Sequence, residues 1–153
     1  MQYEEILAKA WQQTYQGDHD MAIYLLSDLK SKYPENPDVW SLLSEQYILS
    51  NQKEEAKDYI AKAQNLNSDS SEVQRVLSRQ LLSEDQIEEA HEAASRAVRK
   101  NNQNSKNYVA LAAVNCKKGE FDKAENFLNI ALDMDSNDPE AYYYKAVISN
   151  QSG

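Results

Sequence analysis

Cysteine, histidine and glycine are all scarce in this sequence, and each scarcity excludes a class of site. Cys116 is the only cysteine among 153 residues, which excludes an internal disulfide framework and a cysteine-based metal site. The two histidines, His19 and His91, cannot form a zinc site unaided, and no His/Cys/Asp/Glu set has metal-ligand spacing. The three glycines form no glycine-rich loop that would hold a phosphate. The sequence therefore predicts neither a bound metal nor a cofactor.

Basic residues and long hydrophobic runs are also lacking. The chain has 16 Lys and Arg against 25 Asp and Glu, which gives a net charge of −9. Repulsion from phosphate groups would oppose binding to nucleic acid or to an anionic membrane. No apolar run approaches the roughly 20 residues that span a bilayer, and residues 1–5 lack the order of a secretory signal. These features predict a cytoplasmic protein without nucleic-acid binding or membrane insertion.

The sequence does contain a pattern that recurs every 34 residues. Residues 37–70 combine two apolar stripes of helical spacing, which are separated by Asn51. The stripes consist of Trp40, Leu43 and Tyr47 before the break, and of Ala56, Ile60 and Ala63 after it. At the same phase, the other copies carry Ala22, Ala90 and Ala124 in place of Ala56, and Ala97 and Ala131 in place of Ala63. The pattern predicts a pair of helices in each copy.

This helix-turn-helix pattern of Trp, Leu, Tyr and Ala at a 34-residue period is similar to the tetratricopeptide repeat, or TPR. The resemblance implies an all-α fold, a right-handed α-α superhelix (a TPR solenoid) of four repeats plus a C-terminal half-repeat. The expected repeats are 3–36, 37–70, 71–104 and 105–138, followed by a terminal helix over residues 139–150. A single solenoid domain over residues 1–153 is expected.

Turn and capping residues recur at the same phase as the apolar pattern. The expected bends within the hairpins fall on residue types that accept the left-handed conformation, namely Gly17, Asn51, Asp85 and Gly119. Asn51 with Glu54 and Asp85 with Glu88 also have the spacing of capping boxes. The residues expected to cap helices are Asp18, Asn36, Ser70, Asn104 and Asp138.

Candidate catalytic groups do not converge in the predicted helices. The carboxylate pairs Glu4–Glu5, Glu54–Glu55 and Glu88–Glu89 are adjacent in sequence, and adjacent helical residues point roughly 100° apart. Cys116 lacks a neighbouring base because both histidines belong to other repeats. The chain is therefore predicted not to be an enzyme.

In TPR proteins, a stripe on the first helix of each repeat lines the concave face, which receives an extended peptide or a helix. Carried over by phase, the resemblance implies a groove lined by Leu7, Trp11, Tyr15, Glu45, Ile48, Arg75, Arg79, Lys106, Val109, Lys117 and Tyr143. Arg75 and Arg79 are one turn apart and repel each other unless an anion lies between them. One hypothesis is that they bind a carboxylate or an acidic segment of a peptide. The alternative is that Glu45 and Glu72 neutralise them in ordinary surface ion pairs, each worth under about 1 kcal/mol.

The leading interpretation is a non-catalytic protein–protein interaction scaffold that binds a peptide or helical segment in its concave groove. A first alternative is a self-assembling structural module, which would form a homo-oligomer through the C-terminal helix. In that helix, the run Tyr142, Tyr143 and Tyr144 places rings on several faces, so at least one ring is expected to be exposed. A second alternative is a targeting or regulatory segment of a larger enzyme.

Overall fold

The computed structural model describes residues 2–152, which contain nine α-helices and no strand. In chain order the helices are α1 (Gln2–Tyr15), α2 (His19–Lys32), α3 (Pro37–Leu49), α4 (Lys53–Asn67), α5 (Ser71–Ser83), α6 (Ile87–Lys100), α7 (Ser105–Lys118), α8 (Phe121–Met134) and α9 (Pro139–Ser152). Helices α3, α5, α7 and α9 begin 34 residues apart, as the period predicts. The predicted all-α fold is confirmed.

The chain divides into two compact units, Met1–Val76 and Leu77–Gly153, with the division inside α5. The first unit has a core of buried apolar side chains from α1, α2 and α3: Ala10, Leu26, Leu29, Val39, Leu42 and Leu43. The second unit has cores that include Ala90, Ala94, Leu111 and Val114, and Val109, Ala112, Ala124, Leu128, Ala131, Ala141 and Ile148. The expected repeat boundaries and the single solenoid domain stay a prediction.

Small side chains lie where the two helices of a hairpin face each other. The recurrent alanines Ala22, Ala56, Ala90 and Ala124 are all fully buried. On the first helix of two hairpins, a serine hydroxyl donates across this contact to the alanine carbonyl. The distances are 2.7 Å from Ser44 to Ala56 and 2.8 Å from Ser78 to Ala90. Helix backbones can approach this closely only because neither side chain extends far beyond its Cβ atom.

The four predicted bend residues all adopt a positive φ, which confirms their role. The angles are 82° at Gly17, 61° at Asn51, 64° at Asp85 and 79° at Gly119. In each case the following N–H donates to the carbonyl five residues earlier, for example from Gln52 to Tyr47 at 2.7 Å. This left-handed closure satisfies carbonyl groups that the helix end leaves free.

The capping-box interpretation of the bends is wrong. Residues Gln52 and Gln86 occupy the N-cap positions of α4 and α6, and neither side chain makes a capping hydrogen bond. The reason is that Asn51 and Asp85 are used one residue earlier, in the left-handed turn. The same residue type at the same spacing therefore serves a different backbone geometry.

The other predicted caps are confirmed. Asp18 accepts a hydrogen bond from the Met21 N–H at 3.1 Å. The residues that precede α3, α5, α7 and α9 also accept backbone N–H bonds, at 2.9 Å for Asn36, 3.3 Å for Ser70, 3.0 Å for Asn104 and 2.9 Å for Asp138. The last four caps fix where the first helix of a repeat begins, and Asp18 fixes the start of the second helix of the first repeat.

A second recurrent hydrogen bond joins the first helices to the turns before them. The side chain at the fourth position of the repeat donates to the carbonyl six residues earlier. The donors are Trp40, Gln74, Tyr108 and Tyr142, with distances of 2.8, 2.5, 3.2 and 2.7 Å to Pro34, Ser68, Asn102 and Ser136. Gln74, which departs from the aromatic pattern, thus retains the hydrogen bond.

Enlarging a buried hairpin alanine is expected to destabilise the protein. Ala124→Leu adds volume at a fully buried contact and should lower the free energy of unfolding by about 1–3 kcal/mol. Ala61→Leu, at an exposed position of α4, should change it by no more than about 0.5 kcal/mol. Urea unfolding followed by circular dichroism measures both variants. Equal stability of Ala124→Leu and the unaltered protein would contradict this helix packing.

Candidate functional site

The first unit contains a buried arginine that is held by two carboxylates. Arg75 on α5 is 1% exposed and forms a bidentate pair with Glu45 on α3, at 2.5 and 2.9 Å. Its Nε donates to Glu72, one turn earlier on α5, at 2.8 Å. The alternative to ligand binding is therefore right about the partners of Arg75 and wrong about their exposure, because the pair with Glu45 is buried and not an ordinary surface ion pair.

Arg75 also supports an aromatic pair on α1. Its guanidinium carbon lies 5.7 Å from the centroid of the Trp11 ring, within the range of a cation–π contact. The Trp11 and Tyr15 rings lie 6.3 Å apart, and both residues are half-buried. A guanidinium fixed by two carboxylates has little freedom to move, so it restricts the orientation of Trp11.

In the second unit, Arg79 pairs with a carboxylate on α9. Its Nη2 lies 2.6 Å from Glu140, and the two side chains are 19% and 27% exposed. Burial of Tyr144 on α9, followed by the charge of Glu140, raises the pKa of this tyrosine to about 12, while Arg79 acts in the opposite direction. Sequence reasoning missed Glu140. The period relates it to Glu72, two repeat lengths earlier, but does not indicate a contact with Arg79.

Lys106 on α7 is also bound within the second unit. Its Nζ lies 2.8 Å from Asp138 and 3.9 Å from Asp135, and its side chain is 12% exposed. Asp138 uses its other oxygen to cap α9. This lysine therefore helps to fix the start of α9, in addition to the groove position that the resemblance implies.

The remaining predicted groove residues differ in exposure. Leu7 and Ile48 are half-buried, Val109 is buried, and Lys117 and Tyr143 are exposed. The exposure of Tyr143 and of its neighbour Tyr142 confirms that the tyrosine run leaves a ring at the surface. As contacts to a ligand, all eleven predicted groove residues stay a prediction.

Cys116 and His19 are two residues of types that serve in catalysis, and both are half-buried. Burial raises the pKa of the Cys116 thiol, whereas a nucleophilic cysteine needs a lowered pKa. His19 hydrogen-bonds Gln46 through its Nδ1 at 3.0 Å. Between residues 2 and 152, no group of three or more His, Cys, Asp or Glu side chains is placed to hold a metal ion. Over the same range, no helix combines the length and hydropathy of a membrane span.

Sequence comparison identifies a family over nearly the whole chain. Residues 5–153 match the family described as ChAPs, the Chs5p-Arf1p-binding proteins. No curated protein matches the chain significantly.

Solved structures share the fold at low sequence identity. TTC0263, a TPR protein of Thermus thermophilus, has a TM-score of 0.66 at 17% identity, covering 91% of this chain and 77% of that one. YrrB, described as a TPR protein with an unusual peptide-binding site, has a TM-score of 0.56 at 16% identity, covering 96% and 76%. A chain of the APC/C Cut9–Hcn1 heterotetramer has a TM-score of 0.72 at 17% identity, and the match covers 94% of this chain but 29% of that one. These structures confirm the TPR fold.

Removing the buried arginine is expected to be far more costly than removing an exposed one. Arg75→Met leaves Glu45 buried without its bidentate partner and should lower the free energy of unfolding by about 3–5 kcal/mol. Arg96→Met breaks a 2.6 Å pair with Glu92 on the exposed face of α6 and should cost under about 1 kcal/mol. Urea unfolding measures the free energy of unfolding of both variants.

The double variant Glu45→Leu/Arg75→Met tests the cause of that loss. Because it removes both charges, it should be more stable than Arg75→Met alone. A double variant no more stable than Arg75→Met would show that the unpaired carboxylate is not responsible.

Alkaline pH is expected to destabilise the second unit through Tyr144. Its pKa is raised to about 12 in the folded protein, whereas an unfolded tyrosine ionises near pH 10. The stabilisation is therefore complete below about pH 10 and is lost as the pH rises toward about 12. Urea unfolding across this interval should show a smaller decline for Tyr144→Phe than for Tyr24→Phe, which alters an exposed ring of α2. Equal declines would contradict this role of Tyr144.

Proposed function

Since the chain belongs to the ChAPs family, the Chs5p-Arf1p-binding proteins, we propose that it is a non-catalytic module that binds a segment of another protein. TPR folds serve as scaffolds whose function depends on the side chains they present. The proposed binding surface in the first unit is the stripe on α1 and α3 that carries Leu7, Trp11, Tyr15 and Ile48. An extended peptide or a helix would lie along it.

The observation that carries this proposal is the aromatic pair on α1 and its buried support. Trp11 and Tyr15 are half-buried, so each ring retains surface that a partner can cover. Arg75 lies against Trp11 and is itself fixed by Glu45 and Glu72. Aromatic residues held in place before binding lose little conformational entropy, and such residues supply much of the affinity in protein interfaces.

More specifically, the bound segment of the partner is proposed to be acidic. Both arginines already bind carboxylates, and the partly exposed ones are Glu72 and Glu140, at 18% and 27%. A carboxylate of the partner would replace Glu72 on Arg75 or Glu140 on Arg79. Since each exchange substitutes one carboxylate for another, it contributes more to the choice of partner than to affinity.

The family description supplies the proposed partners. It names Chs5p and Arf1p, and we propose that this chain binds a protein of one of these two kinds in the cytoplasm. Self-association through α9 is a second candidate. It is favoured by Tyr142 and Tyr143, which are 52% and 61% exposed.

Loss of the Trp11 ring is expected to weaken partner binding. Isothermal titration calorimetry with purified Chs5p and Arf1p should show binding of at least one of them. Trp11→Leu should reduce that affinity about tenfold or more, because it removes an aromatic anchor. Tyr24→Leu, at a residue of α2 that is 69% exposed, is the matched control and should bind normally.

Two outcomes would contradict the proposal. One is that neither protein binds, and the other is that Trp11→Leu binds as tightly as Tyr24→Leu. Sedimentation velocity of the isolated chain over a wide concentration range tests the second candidate. A concentration-dependent dimer that Tyr143→Ser abolishes would favour self-association instead.

A further inference from the structure

The first unit also contains a group of rings and lysines outside the surface proposed above. Trp40 on α3 and Tyr59 on α4 have ring centroids 5.4 Å apart, and Tyr47 stacks on Tyr59 at 5.2 Å. Lys30 on α2 places its Nζ 5.2 Å from the centroids of both Trp40 and Tyr59, and donates to the Tyr59 hydroxyl at 3.3 Å. Lys62 on α4 places its Nζ 5.6 Å from Trp40. These five residues form the lysine–aromatic cluster.

The two ammonium groups of the cluster have no carboxylate partner among the residues that the structure describes. Their interactions there are the ring contacts and the hydrogen bond to Tyr59. Asp58 lies one turn before Lys62, at the spacing of a helical ion pair, yet Lys62 lies over the indole. By contrast, Lys9 and Lys32 pair with a carboxylate one turn earlier on their own helices. Two cations thus share one indole in a chain of net charge −9.

A comparison within the chain indicates that helix packing does not require these lysines. Two repeat lengths later, Tyr108 and Phe127 occupy the positions of Trp40 and Tyr59. The positions of Lys30 and Lys62 are occupied there by Val98 and Ile130. The Tyr108 and Phe127 rings still stack, with centroids 6.2 Å apart. The second unit therefore keeps the aromatic contact and replaces both cations by apolar side chains.

We propose that the lysine–aromatic cluster binds a carboxylate-bearing segment of another protein. Carboxylates of the segment would neutralise Lys30 and Lys62, and its apolar side chains would contact the partly exposed rings. At physiological ionic strength, charges more than about 8 Å apart are largely screened, so distant acidic residues have little effect on a short segment bound at the two lysines. A nucleic acid or an anionic membrane extends over many such lengths and would meet the overall negative charge.

The two tryptophans of the chain allow the two proposed surfaces to be distinguished. Trp11 lies against Arg75 in the surface proposed for the partner, and Trp40 lies in the lysine–aromatic cluster. Each indole N–H gives its own signal in a proton–nitrogen NMR spectrum. We would titrate the labelled chain with a short synthetic peptide of alternating Glu and Leu, and with its Gln–Leu counterpart. The Glu–Leu peptide should shift the Trp40 signal, and the Gln–Leu peptide should not.

Charge variants test whether the lysines are responsible. Lys30→Gln/Lys62→Gln should weaken binding of the Glu–Leu peptide about tenfold, and Lys30→Arg/Lys62→Arg should retain it. The matched control Lys9→Gln/Lys123→Gln makes the same change in net charge at lysines that are 61% and 69% exposed. This control should bind the peptide as the unaltered chain does. Circular dichroism verifies that each variant is folded.

Four results would overturn the inference. The first is that the peptide shifts the Trp11 signal alone, and the second is that the two Gln double variants bind the peptide equally. The third is that duplex DNA or phosphatidylserine vesicles bind more tightly than the peptide. The fourth is concentration-dependent self-association that Lys30→Gln/Lys62→Gln abolishes. A shift of Trp11 alone leaves the function proposed above intact. If neither Chs5p nor Arf1p binds but the peptide still shifts the Trp40 signal, that function is contradicted and this inference stands.

Discussion

Close contact between two helices at buried alanines is the constraint on which each hairpin depends. At Ala56 and Ala90 the backbones are near enough for a serine hydroxyl of the facing helix to reach the alanine carbonyl. A contact of this kind fixes the rotation of α3 and α5 about their own axes, because the serine must face the alanine of the partner helix. That rotation determines which side chains lie on the opposite side of the helix. The position of Glu45 on α3 therefore depends on the contact that Ser44 makes with Ala56.

Local, periodic features of this structure followed from the sequence, and contacts between distant residues largely did not. The bends, caps and buried alanines depend on a few neighbouring residues and recur, so each copy supports the others. The capping boxes failed because one spacing is compatible with two backbone geometries, and the φ of Asn51 decides between them. The pair between Arg79 and Glu140 joins residues 61 positions apart. The period indicated the helix faces of these residues but not that their side chains would meet.

Charged residues in the first helices and in the cap before α9 have a structural role that their surface-like composition conceals. Arg75, Lys106 and Asp138 are polar residues in an acidic chain, yet all three are largely buried and bonded. Buried pairs of this type add little net stability compared with apolar packing, but leaving one partner alone is costly. They therefore favour one arrangement of the helices over near alternatives. In the function proposed above, the Trp11 ring beside Arg75 is available for contact with another protein.

The hydrogen bond at the fourth position of the repeat has a consequence for tracing distant relatives. Trp40, Gln74, Tyr108 and Tyr142 differ in size, shape and aromaticity, and they share a polar hydrogen at the right reach from a turn carbonyl. A profile that scores this column by aromatic character penalises the copy that contains Gln74. A profile that scores it by donor capacity treats all four copies alike. Degenerate repeats of this family should therefore be easier to recognise when the fourth position is scored for a hydrogen-bond donor than when it is scored for an aromatic ring.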